Sequence, residues 1–484
     1  MHETAREKHD ALARWLPQCR WFGYKRTSDR DHRLRCIDSI VLPGHELRNE
    51  PVQLEMLGFH TDTAEITCVA PVQYTRDQDG TLLCHDATQD ECFHAWLLEQ
   101  VLERKVLQTS CGSLRGHLIH TGLLHDYDIQ RLAVSPLGAN ASNTSAHIRA
   151  FDSDTVSTNY VAKWFRTFST GTHPESEIGT YLAQKKWPNT PTLVGWLEYT
   201  PQREGQGGTV ATLHEFIPRS TSLWDYSLDQ LSNHGNGFDH LLATVAEVGK
   251  RTAGMHKALT DTDSSSAFAP VVPLLSDRET TANAMVDHAQ NVWNAVRVAE
   301  LSPSVRHRID QVLSHHVLIN DALRKAVTSP QTAAYIRVHG DYHLGQILIT
   351  PENRRIEVID FEGEPQKALT ERRRRTSVCK DLAGMSRSFD YLCFQERFQA
   401  HRTGTAQYSA TELVRTFLEA YEIESVGACF YSDNEKDRMA LFNAFMLDKA
   451  IYELGYEIHY RPDWIDVPLR ALETYLDTGS LLHT

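Results

Sequence analysis

Several things are scarce in these 484 residues, and each scarcity removes a class of protein. The nine cysteines are scattered with no Cys-x-x-Cys pair, so neither a disulfide framework nor a thiolate metal site is implied. They read as reduced thiols of a cytoplasmic protein. No apolar run approaches the length that spans a bilayer. The opening Met1-His2-Glu3-Thr4-Ala5-Arg6-Glu7 is polar, with no apolar signal core behind it. Basic residues number 49 against 63 acidic ones, a net charge of -14 that opposes bulk binding to nucleic acid or an anionic membrane. A Gly-x-Gly-x-x-Gly phosphate loop is also missing. What remains is ordinary globular composition, 41% hydrophobic and 23% charged, with a length that suggests about three folding units.

The densest chemistry lies in His339-Gly340-Asp341-Tyr342-His343-Leu344-Gly345-Gln346-Ile347-Leu348. A carboxylate, two imidazoles and a carboxamide sit there between apolar runs, Tyr335-Ile336-Arg337-Val338 and Ile347-Leu348-Ile349. Burying so many polar groups is costly unless each is partnered, so the stretch reads as a chemical site. Nineteen positions after Asp341, Ile356-Glu357-Val358-Ile359-Asp360-Phe361 reads as a strand ending in an acidic turn, with Pro351-Glu352-Asn353 marking a turn between. A hairpin of that kind brings Asp341 and Asp360 together. One aspartate would take the proton of an attacking hydroxyl while the other, with the carboxamide of Gln346, holds magnesium against nucleotide phosphates. Two other readings compete. The motif is a polar turn in a β-rich core, or His339, Asp341 and His343 share one face of an extended chain as zinc ligands of a hydrolase.

These strings, His339 to Gln346 with Asp360-Phe361-Glu362-Gly363-Glu364-Pro365, resemble those of bacterial maltokinases, within the aminoglycoside-phosphotransferase and eukaryotic-kinase-like superfamily. Leu16-Pro17-Gln18-Cys19-Arg20-Trp21-Phe22-Gly23-Tyr24-Lys25 is similar to the start of that family's amino-terminal cap. Glu371-Arg372-Arg373-Arg374, Asp381-Leu382-Ala383-Gly384-Met385 and Arg461-Pro462-Asp463-Trp464 are similar to its carboxy-terminal lobe. The resemblance implies an α+β, bilobal, protein-kinase-like fold: a cap over 1–90, a nucleotide-binding subdomain over 91–218 and a mainly helical lobe over 219–484. It also implies ATP and Mg2+ as cofactors and maltose as acceptor, with maltose 1-phosphate as product. A place beside trehalose synthase in α-glucan metabolism goes with it. Kinases of glucosamine or an aminoglycoside are the nearest alternative, and a silent kinase-like binding module is a more distant one.

Along the chain, alternation predicts strands at Ile37–Leu42, Val52–Leu57 and Ala64–Val69, then a helix over Glu91–Leu107. Lys163 stands in the apolar strand Tyr160–Phe165, where an ammonium needs an anion. On a kinase reading it meets the α- and β-phosphates, held by Glu177 on the next helix, with Glu175 as competitor. Ser142, Asn143, Thr144 and Ser145 follow Gly138 and would cradle phosphates through N–H groups and hydroxyls. By resemblance and order, Glu215 and Ile217 mark the hinge against adenine. Lys449, Tyr452, Glu453 and Tyr456 share one face of a carboxy-terminal helix. That stripe is either core with a salt bridge or, with His343 and Trp464, a sugar site. Glu362 and Arg372 would orient the aspartates near the sugar. The run Arg372-Arg373-Arg374-Arg375 reads as a solvated face at this overall charge.

Overall fold

The computed structural model of the chain describes residues 5–22, 34–42, 51–60, 65–119, 131–138, 143–152, 155–203, 205–232, 236–261, 263, 266–330, 332–352, 354–400 and 408–481. It divides into two compact units. The first holds Met1–Lys186, Pro191–Ile217 and Pro365–Leu369; the second holds Trp187–Thr190, Pro218–Glu364 and Thr370–Thr484. Among the described residues no helix is long and apolar enough to cross a membrane.

The first unit carries two antiparallel sheets. One pairs β1 (Arg35–Val41), β2 (Val52–His60), β3 (Glu65–Arg76) and β10 (Thr167–Phe168) in that order, with β4 (Leu82–Asp86) also on β3. The other has seven strands: β5 (Val106–Gln108), β6 (Gly112–Leu118), β11 (Leu193–Pro201), β12 (Gly208–Glu215), β9 (Thr155–Phe165), β8 (Asn143–Asp152) and β7 (Arg131–Leu137). Helix α1 (Ala5–Trp15) packs on β4, and α2 (Glu91–Leu102) packs on β6. Asp90 starts α2 by accepting the Phe93 N–H at 2.8 Å. That helix stops at Leu102, not Leu107, because Arg104 adopts φ 54 and the chain turns into β5.

Residues 1–90 carry a buried cluster of their own, with Leu12, Leu16, Leu57, Phe59, Val72 and Tyr74 in it. Leu54 and Met56 of β2 share one buried cluster with Phe93, Trp164 and Leu213, and β10 completes the first sheet. Alternation along β9 sends Tyr160, Ala162 and Trp164 into that cluster and therefore turns Lys163 to the opposite face.

The second unit is mainly helical: α4 (Leu223–Ser232), α5 (Gly237–Ala258), α6 (Leu275–Val298), α7 (Pro303–Ser314), α8 (His316–Thr328), α9 (Leu369–Arg372), α10 (Cys379–Ala400), α11 (Ala410–Ser425), α12 (Glu435–Tyr460) and α13 (Asp466–Thr478). A three-stranded sheet interrupts them, with β13 (Thr221–Ser222) beside β14 (Ile347–Thr350) and β14 beside β15 (Arg355–Val358). The β14–β15 hairpin has Ile347 opposite Val358 and Thr350 opposite Arg355.

Candidate active site

The loop ahead of β14 is bent, not the extended chain that the zinc reading requires. Gly340 has φ 89, and Tyr335 and Ile336 make only isolated bridges, so His339, Asp341 and His343 do not share the face of a strand. The loop is pinned from beneath by Asp381 of α10, whose side chain is fully buried. Its two oxygens accept the His339 and Gly340 N–H groups, each at 2.8 Å, and Oδ2 lies 3.1 Å from His256 Nε2. Burial alone would raise this carboxyl, but His256, His339 and the Gly340 amide hold it below its usual range. Tyr342 meets the Thr252 hydroxyl at 2.9 Å. Its carbonyl passes so close to α10 that a Cβ on Gly384 would lie 2.5 Å from the oxygen.

His339 is a structural residue. Its Nε2 faces the Ile359 carbonyl at 2.9 Å and its Nδ1 faces the Asp341 N–H at 3.4 Å. Both nitrogens are thereby engaged with backbone, and the three-ligand zinc reading fails at its first ligand. His343 Nδ1 likewise accepts the Gly345 N–H at 3.1 Å. Burial lowers the affinity of this imidazole for a proton, while Asp341 and Asp360 both oppose that shift. One ring therefore feels the charge of both carboxylates.

Asp360 follows β15 in a left-handed turn, φ 69, strained for a residue with a Cβ. The Gln346 amide donates Nε2–H to Asp360 Oδ2 at 2.9 Å, so its carbonyl oxygen remains as a donor to a cation. A carboxylate and a carboxamide oxygen on neighbouring strand ends suit Mg2+, which takes one or two protein oxygens and fills its octahedron from phosphates and water. Asp360 and Gln346 would hold that ion, and it would neutralise phosphate charge.

Asp341 opens into a cavity of about 650 Å³ in the second unit. Lys449 of α12 reaches it, Nζ 3.6 Å from Oδ1. Burial would depress that ammonium, but Asp341, Glu364 and Glu453 more than compensate and raise it. Five rings, Trp224, Tyr391, Tyr452, Tyr456 and Trp464, face the same space. Tyr391 and Trp464 stack at 5.7 Å, and Arg461 lies 5.2 Å from the Tyr456 ring and 5.4 Å from that of Trp464. Glu457 is fully committed, to the Tyr391 hydroxyl at 2.8 Å and to Arg461 through both oxygens. Glu453 is not. Arg387 of α10 donates Nε and one Nη to its Oε2, at 2.9 and 2.7 Å, while Oε1 takes no hydrogen bond among the described residues.

Thus His343, Lys449, Glu453, Tyr456 and Trp464 all line this cavity. Glu362 does not. It is buried beside Arg372, carboxylate to guanidinium 3.6 Å, two residues after Asp360. Asp381 and Arg387 were missed. The signal for Arg387 was a lone charge between Leu382 and Phe389, flanked by two serines.

In the first unit Lys163 Nζ pairs with Glu175 Oε2 at 3.6 Å, and His214 Nε2 lies 3.3 Å from Glu175 Oε1. The helix acid against Lys163 is therefore Glu175. Glu177, the first choice from spacing, is half-buried two positions on. Pro174 opens α3 (Pro174–Lys185), and the turn before it points Glu175 inward. Lys163 and then His214 overcome the burial penalty and hold the Glu175 carboxyl down to about 2. His214, the residue before Glu215, had no local signal. Ser142 lies outside the described residues. Asn143, Thr144 and Ser145 are not loop but the start of β8, with Ser145 opposite Lys163. Thr144 instead accepts Arg166 Nε at 2.9 Å. Glu215 ends β12, its N–H on the Thr192 carbonyl at 3.0 Å, and Ile217 follows half-buried.

No family model matches the chain. A glucosamine kinase of Streptacidiphilus jiangxiensis is 26% identical over 286 residues, 58% of this chain and 61% of that protein. The matched part thus spans less than two thirds of that relative. A second glucosamine kinase, from Mycolicibacterium smegmatis, is 26% identical over 327 residues, 66% of this chain and 76% of its own. Among solved structures, a glucosamine kinase in complex with glucosamine, ADP and inorganic phosphate superposes with a TM-score of 0.63 at 19% identity, covering 98% of this chain and 100% of that one. The fold is therefore the bilobal, α+β, protein-kinase-like one, and the curated relatives are sugar kinases.

Proposed function

We propose that this chain is an ATP-dependent sugar kinase, moving a γ-phosphoryl group to a sugar hydroxyl activated by Asp341. The observation that carries the reading is the convergence in one loop and hairpin: Asp341 at a ring-lined cavity, with the Gln346–Asp360 pair beside it. In this reading Lys163 holds nucleotide phosphates, while Asn143, Ser145, Glu215 and Ile217 contribute to the nucleotide's surroundings. Asp360 and Gln346 take Mg2+. His343, with its proton on Nε2, donates to an acceptor oxygen, and a cytoplasmic setting supplies the ATP.

An amino sugar of the glucosamine type is the acceptor with more support. Both curated relatives carry that name, and Glu453 offers a carboxylate oxygen suited to an ammonium. Maltose is the second reading. Five rings give more stacking surface than one pyranose needs, and the catalytic strings resemble those of maltokinases. Its product would be maltose 1-phosphate, and association with trehalose synthase belongs to that reading alone. Incubation with ATP, Mg2+ and a panel of glucosamine, maltose, glucose and an aminoglycoside, followed by 31P NMR of the products, tests the proposal. Phosphorylation of glucosamine but not maltose favours the first acceptor, and the reverse favours the second. ATP left intact with every sugar sinks the kinase reading.

A further inference from the structure

The arginine run after the catalytic hairpin, read from its charge as a solvated face, is half-buried to exposed and concave. Arg373, Arg374 and Arg375 line a cavity of about 680 Å³ in the second unit, together with Arg337 and Tyr335. The cavity is built by backbone. Tyr335 exchanges hydrogen bonds with Val271 at 3.0 and 2.8 Å, and Ile336 exchanges them with Thr376 at 3.0 and 2.9 Å. Three chain segments are thereby laid side by side, and guanidinium groups from two of them meet the first turns of α6.

Arg337 is only 1% exposed, its guanidinium 5.1 Å from the Phe268 ring. Tyr335 is 6% exposed, and its buried hydroxyl takes no hydrogen bond among the described residues. Arg375 makes one long contact, Nε to the Ala267 carbonyl at 3.4 Å, and Arg374 takes no ion pair among the described residues. A single carboxylate lines the space. It belongs to Asp277, whose Oδ2 already accepts the Leu274 N–H at 2.9 Å at the start of α6. Four guanidinium groups and one carboxylate line this concave site, on a chain whose total charge is strongly negative; Arg337 and Arg373 have further partners, and Arg374 and Arg375 are the two that the anion would recruit. Guanidinium is the group whose planar fork matches phosphate oxygens, and a hydroxyl beside it supplies a further donor.

We propose that this cavity binds a phosphomonoester dianion, free phosphate or a phosphorylated sugar, as an effector separate from the reacting nucleotide. Its walls lead to both catalytic arms. Arg337 lies two residues before His339, and Arg372, next to the run, holds Glu362 two residues after Asp360. An anion drawing Arg337 towards Arg373, Arg374 and Arg375 would brace the loop that carries Asp341 against the turn that carries Asp360.

The test is calorimetric titration of the whole chain with inorganic phosphate and, separately, glucose 6-phosphate, with ADP and Mg2+ present to fill the nucleotide site. Wild type is expected to show one saturable site for at least one probe. Tighter binding of the sugar phosphate assigns the site to phosphorylated sugars, and equal binding assigns it to phosphate itself. Arg374→Glu with Arg375→Glu, the first exposed and the second half-buried, should weaken binding by about tenfold or more, since one charge-assisted contact is worth about that factor. Turnover without added anion should match wild type. Binding that survives the double substitution, or the absence of saturable heat with either probe, overturns the proposal. Neither outcome bears on whether the chain phosphorylates a sugar.

Discussion

Lys449 places its ammonium 3.6 Å from the carboxylate of Asp341, although 107 residues separate them in sequence. Glu364 and Glu453 also help to keep it charged. Lys449→Met would remove the cation beside Asp341, and a phosphoryl group arriving there would lose a positive partner. Turnover should fall by roughly a hundredfold, the scale of losing one preorganised charge partner. Lys449→Arg should restore part of it. Steady-state rates at saturating ATP check both.

The two aspartates should separate kinetically. Asp341→Asn is expected to lower kcat by about 10²–10⁴, the usual contribution of a positioned base. Binding of ADP with Mg2+ should stay near wild type. Asp360→Asn should weaken that binding as well, because it removes a metal oxygen. Calorimetry with and without Mg2+ distinguishes the pair, and an unaltered kcat in Asp341→Asn would refute the base.

Glu453 should report the acceptor. Glu453→Gln removes charge but keeps size, and should raise the acceptor KM by about tenfold while the ATP KM holds, the worth of one charged hydrogen bond. A larger penalty for glucosamine than for glucose would show that Oε1 reads an ammonium. Removing the other partner, Arg387→Met, should destabilise the fold by about 3–5 kcal/mol, because it strands a buried carboxylate. Urea unfolding measures that cost.

Gly384→Ala puts a methyl group 2.5 Å from the Tyr342 carbonyl oxygen. The loop must shift to relieve the contact, and a shift of about 1 Å at a catalytic residue costs about a hundredfold in rate. The substitution should lower kcat with little change in ATP binding, despite touching neither substrate.

Glu175 gives a pH test. Its folded carboxyl is held at about 2 by Lys163 and His214, below the ordinary value of 4.5. Below 4.5 the unfolded chain takes up a proton that the folded chain refuses, so this contribution to stability shrinks as pH falls and is gone near 2. Glu175→Gln should flatten the loss of unfolding free energy between about pH 5 and 3. Equal slopes in both proteins would place the pair's ionisation elsewhere.

The hairpin and the Gln346–Asp360 contact were legible because turn residues and strand alternation act over short distances. So was the need of Lys163 for an anion, which follows from the apolar strand around it. The choice of Glu175 over Glu177 was not, since it depends on how the turn before Pro174 aims the first helical residues. The bend at Gly340 was invisible for a similar reason: it exists because Asp381, some forty residues later, accepts two of its backbone amides. Distance in sequence also hid the Lys449–Asp341 pair and the burial of Arg387 against Glu453. The exposure of the arginine run was legible from its charge, but local charge says nothing about the concavity that Val271 and Thr376 build around it.

Helix α12 carries Lys449, Tyr452, Glu453, Tyr456 and Glu457 within nine positions. The group that touches the proposed base and the groups that line the proposed acceptor cavity therefore ride on a single rigid rod. Grafting those few turns from one kinase of this fold to another would transplant acceptor choice as a cassette, with the hairpin bearing Asp360 left untouched.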